Sequence, residues 1–175
     1  MVLPGRSLIS RKIIKGVISE TLQPQPCGVD LTLKRLLKWT SAGAVDFDNS
    51  LRQAATTTTV SAPDAMDHPA PDQRGLHLPV GSYLVEFNET VSVPLDAMGQ
   101  IFVRSSLFRS GALLHAGVVD SGYSGVLGAL LQVTNPFGLR LHGNARLGQL
   151  VLHQMSEPVE GYSGIYQGSR GMGPQ

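Results

Sequence analysis

Asp120 is the one acid in the stretch Ala116-Gly117-Val118-Val119-Asp120-Ser121-Gly122-Tyr123-Ser124-Gly125, where it follows an apolar run and is bracketed by glycines. Glycines let the backbone approach a ligand closely. A carboxylate held there can polarise a water, and Tyr123 can present its face to a sugar or base. The same residues also read as a hairpin turn with a turn-forming Asp. Arg104-Ser105-Ser106 closes another apolar run. A guanidinium and two hydroxyls in succession can donate several hydrogen bonds to phosphate oxygens, and Arg109 adds charge nearby; a polar strand end would look the same. In Arg146-Leu147-Gly148-Gln149-Leu150 the alternation puts Gln149 on the face of Leu147. Its amide must find a partner there, phosphate or backbone. Arg170, in a Gly-rich tail that also holds Tyr166 and Gln167, is a candidate phosphate clamp. Such a tail either frays, the general tendency of termini, or folds over a ligand.

Other chemistries find little support. The five histidines are scattered, and the single cysteine, Cys27, removes any paired-cysteine zinc site. The H-x-E with P-C-x-x-C signature of zinc-dependent base deaminases is missing, so no protein-bound metal is expected. One cysteine permits no internal disulfide and fits a reducing compartment, cytoplasmic, or nuclear in a eukaryote. A net charge of +1 draws the chain to neither nucleic acid nor membrane. No run of about 18 apolar residues predicts a membrane span, and the opening MVLPGRSLISRKIIKG lacks the apolar core of a secretory leader.

The elements that must position these residues read as mainly β. The chain of 175 residues, 42% hydrophobic, fits one domain. A short helix is expected over Ser7 to Lys15, capped by Ser7 and ended by Gly16. A connector, Gln23-Pro24-Gln25-Pro26, leads into a strand in which Val29, Leu31 and Leu33 alternate with polar neighbours. Residues 50 to 75 are rich in Thr, Pro and small residues without apolar period, and read as a solvated, structureless excursion. A lid or partner-binding loop is the functional alternative. From Gly75 onward short apolar runs recur between Gly, Pro and Asn, the pattern of a sandwich or barrel. Helical pattern is nearly absent after residue 20.

Taken in order, these motifs resemble those of the dUTPase and dCTP deaminase superfamily. Gln25-Pro26-Cys27-Gly28-Val29-Asp30-Leu31 is similar to its first motif and Arg104-Ser105-Ser106-Leu107 to its second. Gly117 to Gly125 is similar to the third, Arg146 to Leu150 to the fourth, and Tyr166-Gln167-Gly168 with Arg170-Gly171-Met172-Gly173 to a weakened fifth. The helix-then-QPxxVDL opening and the Tyr-Gln-Gly tail are closer to the dCTP deaminase branch. The resemblance implies a jelly-roll-like fold, a homotrimer with sites between subunits, and magnesium carried by the nucleotide triphosphate. It implies that Asp120 activates the attacking water, that Tyr123 packs on the deoxyribose, and that the backbone of Gly117, Val118 and Val119 reads the pyrimidine. Arg104, Ser105, Ser106 and Gln149 would lie near the phosphates, and Arg170 would bind the terminal phosphates when the tail closes.

The deaminases of this resemblance place a glutamate on the strand after the third motif. Here that strand, Val126 to Val133, holds no carboxylate; the position falls on Leu130 or Gln132, depending on the alignment. Neither can take and return a proton at neutral pH. The expectation is therefore a dUTP diphosphatase, with a dCTP deaminase, alone or bifunctional, and a non-catalytic nucleotide-binding regulator as alternatives. The tail lacks the phenylalanine that trimeric dUTPases stack on uracil, and Tyr166 or Met172 would have to substitute.

Overall fold

The computed structural model describes residues 1–60 and 75–172. A short helix α1 (Gly5–Ser10) leads into β1 (Ile14–Lys15), β2 (Pro24–Gln25), β3 (Gly28–Trp39) and β4 (Thr57–Thr59). After the excursion come β5 (Leu76–Leu78), β6 (Gly81–Ser92), β7 (Ala97–Val103), α2 (Ser105–Arg109) and β8 (Ala112–His115). The chain continues through β9 (Val118–Val119), β10 (Ser124–Val133), β11 (Leu139–Leu141) and β12 (Arg146–Gln154). One large sheet runs β8-β10-β6-β3-β12-β7-β9, with β1 on β6 and β2 and β4 on β3; β5 and β11 form a separate pair. Every ladder among the described residues is antiparallel. The mainly β architecture expected from the spacing of apolar runs is the one observed.

Alternation along the long strands builds the core. Leu31 of β3, Val85 and Phe87 of β6, Leu131 of β10 and Leu150 and Leu152 of β12 are fully enclosed. Each contributes about 1.5–3 kcal/mol relative to leaving its side chain in water. Bulges between Leu33 and Arg35, Val126 and Gly128, and Arg146 and Gly148 shift the register and bend the sheet. At Gly28, φ is +126° and an added Cβ would overlap the Leu150 carbonyl oxygen, so β3 can lie against β12 only with glycine at that point.

Four expectations need correction. The first helix is Gly5–Ser10, not Ser7 to Lys15. It follows Pro4 with no side-chain cap, and Lys12, at φ +56°, turns the chain so that Ile14 and Lys15 pair with Val91 and Thr90. A second helix, α2, stands where none was expected; five residues are too few to show a helical period. The excursion is not structureless throughout: Thr57–Thr59 pair with Leu37–Trp39, and Ala44 bridges Gln53. Its part from 61 to 74 lies outside the described residues. The Pro-rich connector is also tightly held. The Gln23 side chain accepts from the Ile18 and Ser19 amides at 2.7 and 2.9 Å and donates to Glu89 at 2.7 Å. Buried Glu89 also accepts from the Thr32 amide at 2.9 Å, so its carboxylate keeps the hydrogen bonds that burial requires. The fourth correction, the tail, concerns the site.

Candidate active site

Behind Asp120 lies a cavity of about 510 Å3. Gly117, Val118, Val119, Asp120 and Tyr123 form one wall, and Val126 to Gly128 of β10 with Leu84 form its floor. Trp39 comes from the end of β3, Ala54 and Ala55 from the excursion, and Tyr166, Ser169, Gly171 and Met172 from the tail. Asp120 is the acid among the described lining residues.

The loop carrying Asp120 is a turn, closed by the Tyr123 amide donating to the Asp120 carbonyl at 3.1 Å. The turn reading of this stretch is the one observed, and the turn holds the carboxylate at the cavity. Ser121 fixes the loop from below by donating to the Ala97 carbonyl at 2.6 Å. Gly122, at φ +75°, lies where a Cβ would come within 2.6 Å of the Gly161 Cα, so the tail stem packs on the loop only because no side chain intervenes. The Tyr123 hydroxyl donates to the Val126 carbonyl at 2.7 Å and meets the Ser169 hydroxyl at 2.9 Å. Its ring stands edge-on to Tyr162, with centroids 5.7 Å apart.

The tail does not fray over residues 160–172. The Gln167 side chain accepts from the Ser124 amide at 2.8 Å and donates to the Gly122 carbonyl at 2.9 Å. The Gly168 amide donates to the Ser124 carbonyl, the Val126 amide to the Ser169 carbonyl, and the Met172 amide to the Glu86 carboxylate. Tyr166 lies under the Arg52 guanidinium, 5.7 Å from its ring centroid. The general tendency of termini suggested fraying; the Gln167 side chain and the Ser169 carbonyl, meeting backbone amides of Ser124 and Val126 on β10, override it. Arg170 is exposed and does not line the cavity.

A second cluster forms at the other end of β7. Arg104 Nε lies 3.0 Å from the buried Asp30 carboxylate and Arg146 Nη1 3.2 Å from the same oxygen. Burial raises the Asp30 pKa, and the two arginines oppose the rise without cancelling it. Ser105 and Ser106 open α2 and Arg109 ends it, all three exposed. Gln149, opposite Asp30 in the ladder, donates to the Cys27 carbonyl at 3.0 Å, which is the backbone alternative for its amide. Asp30 was part of the first motif but carried no assigned role; only three-dimensional pairing with Arg104 reveals it.

The chain does not bring the two clusters together. Val119, next to Asp120, pairs with Gly99, whereas Arg104 follows the far end of the same strand. At ~3.3 Å per residue the stretch from Gly99 to Arg104 spans roughly 17 Å. A base and the phosphate donors it serves must converge to within hydrogen-bond reach. The two clusters thus lie apart along β7 in one chain.

The fold and the sequence match known proteins. A 2'-deoxycytidine 5'-triphosphate deaminase from Agrobacterium tumefaciens has the same fold, with a TM-score of 0.61 at 20% identity over 86% of this chain and 47% of that one. The chain belongs to the dCTP deaminase-like family, whose model matches residues 5–155. It is 41% identical over 156 residues to a probable deoxyuridine 5'-triphosphate nucleotidohydrolase of Methanosarcina mazei, covering 89% of this chain and 86% of that protein. The counterpart in Methanosarcina acetivorans is 42% identical over the same shares. The deoxyuridine 5'-triphosphate nucleotidohydrolase of Methanocaldococcus jannaschii is 32% identical over 85% of this chain and 90% of its own length.

Proposed function

We propose that the protein hydrolyses dUTP to dUMP and pyrophosphate. The observation that carries the reading is the single carboxylate, Asp120, among the described residues that line the cavity, the others being apolar, aromatic or glycine apart from Ser169. Asp120 takes the proton of a water as the water oxygen bonds to the α-phosphorus. The bond from that phosphorus to the oxygen bridging to the β-phosphorus breaks, and pyrophosphate leaves. A positioned general base supplies roughly 10²–10⁴-fold of rate, and alignment and charge neutralisation supply the rest.

Ring chemistry on cytosine needs a second acid. Leu130 and Gln132, where the family comparison would seek one, do not line the cavity. Glu86 lies across the sheet from Gly128, but its carboxylate is paired with Lys34 and Arg35. The backbone of Gly117, Val118 and Val119 faces the pyrimidine edge, and Tyr123 packs on the deoxyribose. Its hydroxyl is held by Val126 and Ser169, so the ring cannot swing aside for a ribose 2'-hydroxyl.

The phosphates are held by Arg104, Ser105, Ser106, Arg109, Gln149 and Arg170, with Arg104 anchored by Asp30. The family resemblance implies a homotrimer, and the divergence of Arg104 and Asp120 within one chain fits an arrangement in which one subunit's phosphate cluster faces its neighbour's Asp120. No group of three or more His, Cys, Asp or Glu among the described residues forms a metal cage. A magnesium ion held mainly by the triphosphate fits such a donor set, and bound there it neutralises phosphate charge.

No helix among the described residues is long and apolar enough to cross a membrane; with one exposed cysteine, the reading places the enzyme in the cytoplasm. The test is incubation with magnesium and either dUTP or dCTP, measuring pyrophosphate and ammonia. Pyrophosphate from dUTP without ammonia from dCTP is expected; ammonia from dCTP would make the protein a deaminase instead.

A further inference from the structure

Glu86 is a fully enclosed acid that hydrolysis leaves unused. Lys34 Nζ lies 2.7 Å from its Oε1, and Arg35 donates to Oε2 through Nε at 2.9 Å and Nη2 at 2.7 Å. These cations, both on β3, offset the cost of burying a carboxylate. A further donor comes from far along the chain: the Met172 amide reaches Oε2 at 2.9 Å. The buried charge does not need this bond to be neutralised, so its consequence falls on the tail.

Two glycines shape the seat. A Cβ on Gly171 would come 3.1 Å from Arg35 Nη2 and 3.5 Å from Glu86 Oε2, so any side chain there presses on the end of the Arg35 guanidinium. A Cβ on Gly128 would overlap the end of the Met172 side chain, its sulfur at 2.6 Å. Met172 thus occupies the space that Gly128 leaves open, and both line the cavity together with Leu84 and Trp39.

We propose that Glu86 is the positioning residue that seats the C-terminal segment on its own chain, making Met172 the apolar roof under which the substrate's pyrimidine rests. The identity of that base rests on the dUTP reading; the seating does not. Glu86 acts through the Met172 amide and touches no substrate. Its partner Met172 supplies the apolar cover for which this tail has no phenylalanine among residues 160–175.

The test uses the full chain and three variants: Glu86→Gln, Gly171→Val, and a chain ending at Arg170. The chain ending at Arg170 lacks the Met172 amide altogether, so it decides the matter even if Glu86→Gln fails to fold. Trp39 is the sole tryptophan, so its fluorescence reports the cavity directly. The native protein is expected to protect the Met172 amide from hydrogen exchange at least tenfold. Gly171→Val should abolish that protection, raise acrylamide quenching of Trp39, and increase KM for dUTP severalfold with a smaller change in kcat. Glu86→Gln should do the same, and should have no further effect on KM in the chain ending at Arg170, which a merely structural role would not predict. An unprotected Met172 amide in the native protein overturns the proposal, as does a chain ending at Arg170 whose Trp39 quenching and KM match those of the native protein. A KM that stays unchanged while the tail detaches overturns the pyrimidine roof. A protected amide in a protein that releases no pyrophosphate contradicts the hydrolase reading and leaves the seating intact.

Discussion

Arg104 reaches back to the buried carboxylate of Asp30, with 3.0 Å between Nε and Oδ2, and the same oxygen holds Arg146 at 3.2 Å. A long flexible guanidinium that must meet a phosphate loses less entropy on binding if it is already pinned. Asp30→Asn should therefore lower kcat/KM for dUTP about tenfold, the equivalent of about 1.4 kcal/mol, while the far-UV spectrum stays that of the native fold. Unchanged kinetics in a folded Asp30→Asn protein would show that Arg104 needs no anchor.

Two of the buried acids, Asp30 and Glu86, should give stability opposite dependences on pH. The folded pKa of Asp30 is raised above its ordinary 3.8, first by burial. The folded state then holds a proton more tightly than the unfolded one, so the contribution of Asp30 falls as pH rises from 3.8 through the raised value. For Glu86 burial also pushes upward, but Lys34, the Met172 amide and Arg35 outweigh it, and the pKa lies below the ordinary 4.5. Its contribution is present above 4.5 and is lost as pH falls through the lowered value. Thermal midpoints measured against pH for Asp30→Asn and Glu86→Gln, each subtracted from the native curve, should slope in opposite directions. Two parallel difference curves would contradict the pairing described for one of the acids.

Tyr123 should separate sugar discrimination from local stability. Tyr123→Phe keeps the ring but removes the donor to the Val126 carbonyl, at a cost of about 1 kcal/mol in unfolding free energy. The preference for dUTP over UTP should persist. Tyr123→Ala removes the ring as well, and the ratio of kcat/KM for the two nucleotides should fall at least tenfold. A ratio that survives Tyr123→Ala would place the sugar elsewhere.

The divergence of Asp120 and Arg104 along β7 predicts complementation. Asp120→Asn and Arg104→Ala chains should each be nearly inactive, and their mixture, unfolded and refolded together, should regain part of the native rate. Some sites in the mixed assemblies then take Arg104 from one chain and Asp120 from another. A mixture no more active than its parts would mean that each chain completes its own site.

Much of this organisation was legible in the sequence, for identifiable reasons. The alternation around Val29, Leu31 and Leu33 marked β3 because period two survives wherever one face is buried. The Gly-bracketed Asp120 was visible because glycines mark backbone that must come close to something. Pairing between distant segments was hidden. Glu86 looks like any charged residue on a strand until Lys34, Arg35 and Met172 converge on it. Ala54 and Ala55 reach the cavity from an excursion whose composition suggested a solvated loop. The tail order depends on Gln167 meeting backbone groups of Gly122 and Ser124, more than forty positions earlier, and no local propensity encodes such a contact.

The account stands or falls on the carboxylate of Asp120. The direct measurement is the steady-state release of pyrophosphate from magnesium-dUTP by Asp120→Asn beside the native protein, with unfolding midpoints recorded for both. Loss of the base should reduce kcat by about 10²–10⁴ and leave the midpoint within a few degrees, since the side chain is exposed and its turn is closed by backbone. An Asp120→Asn enzyme that turns over dUTP at the native rate would show that another group activates the water.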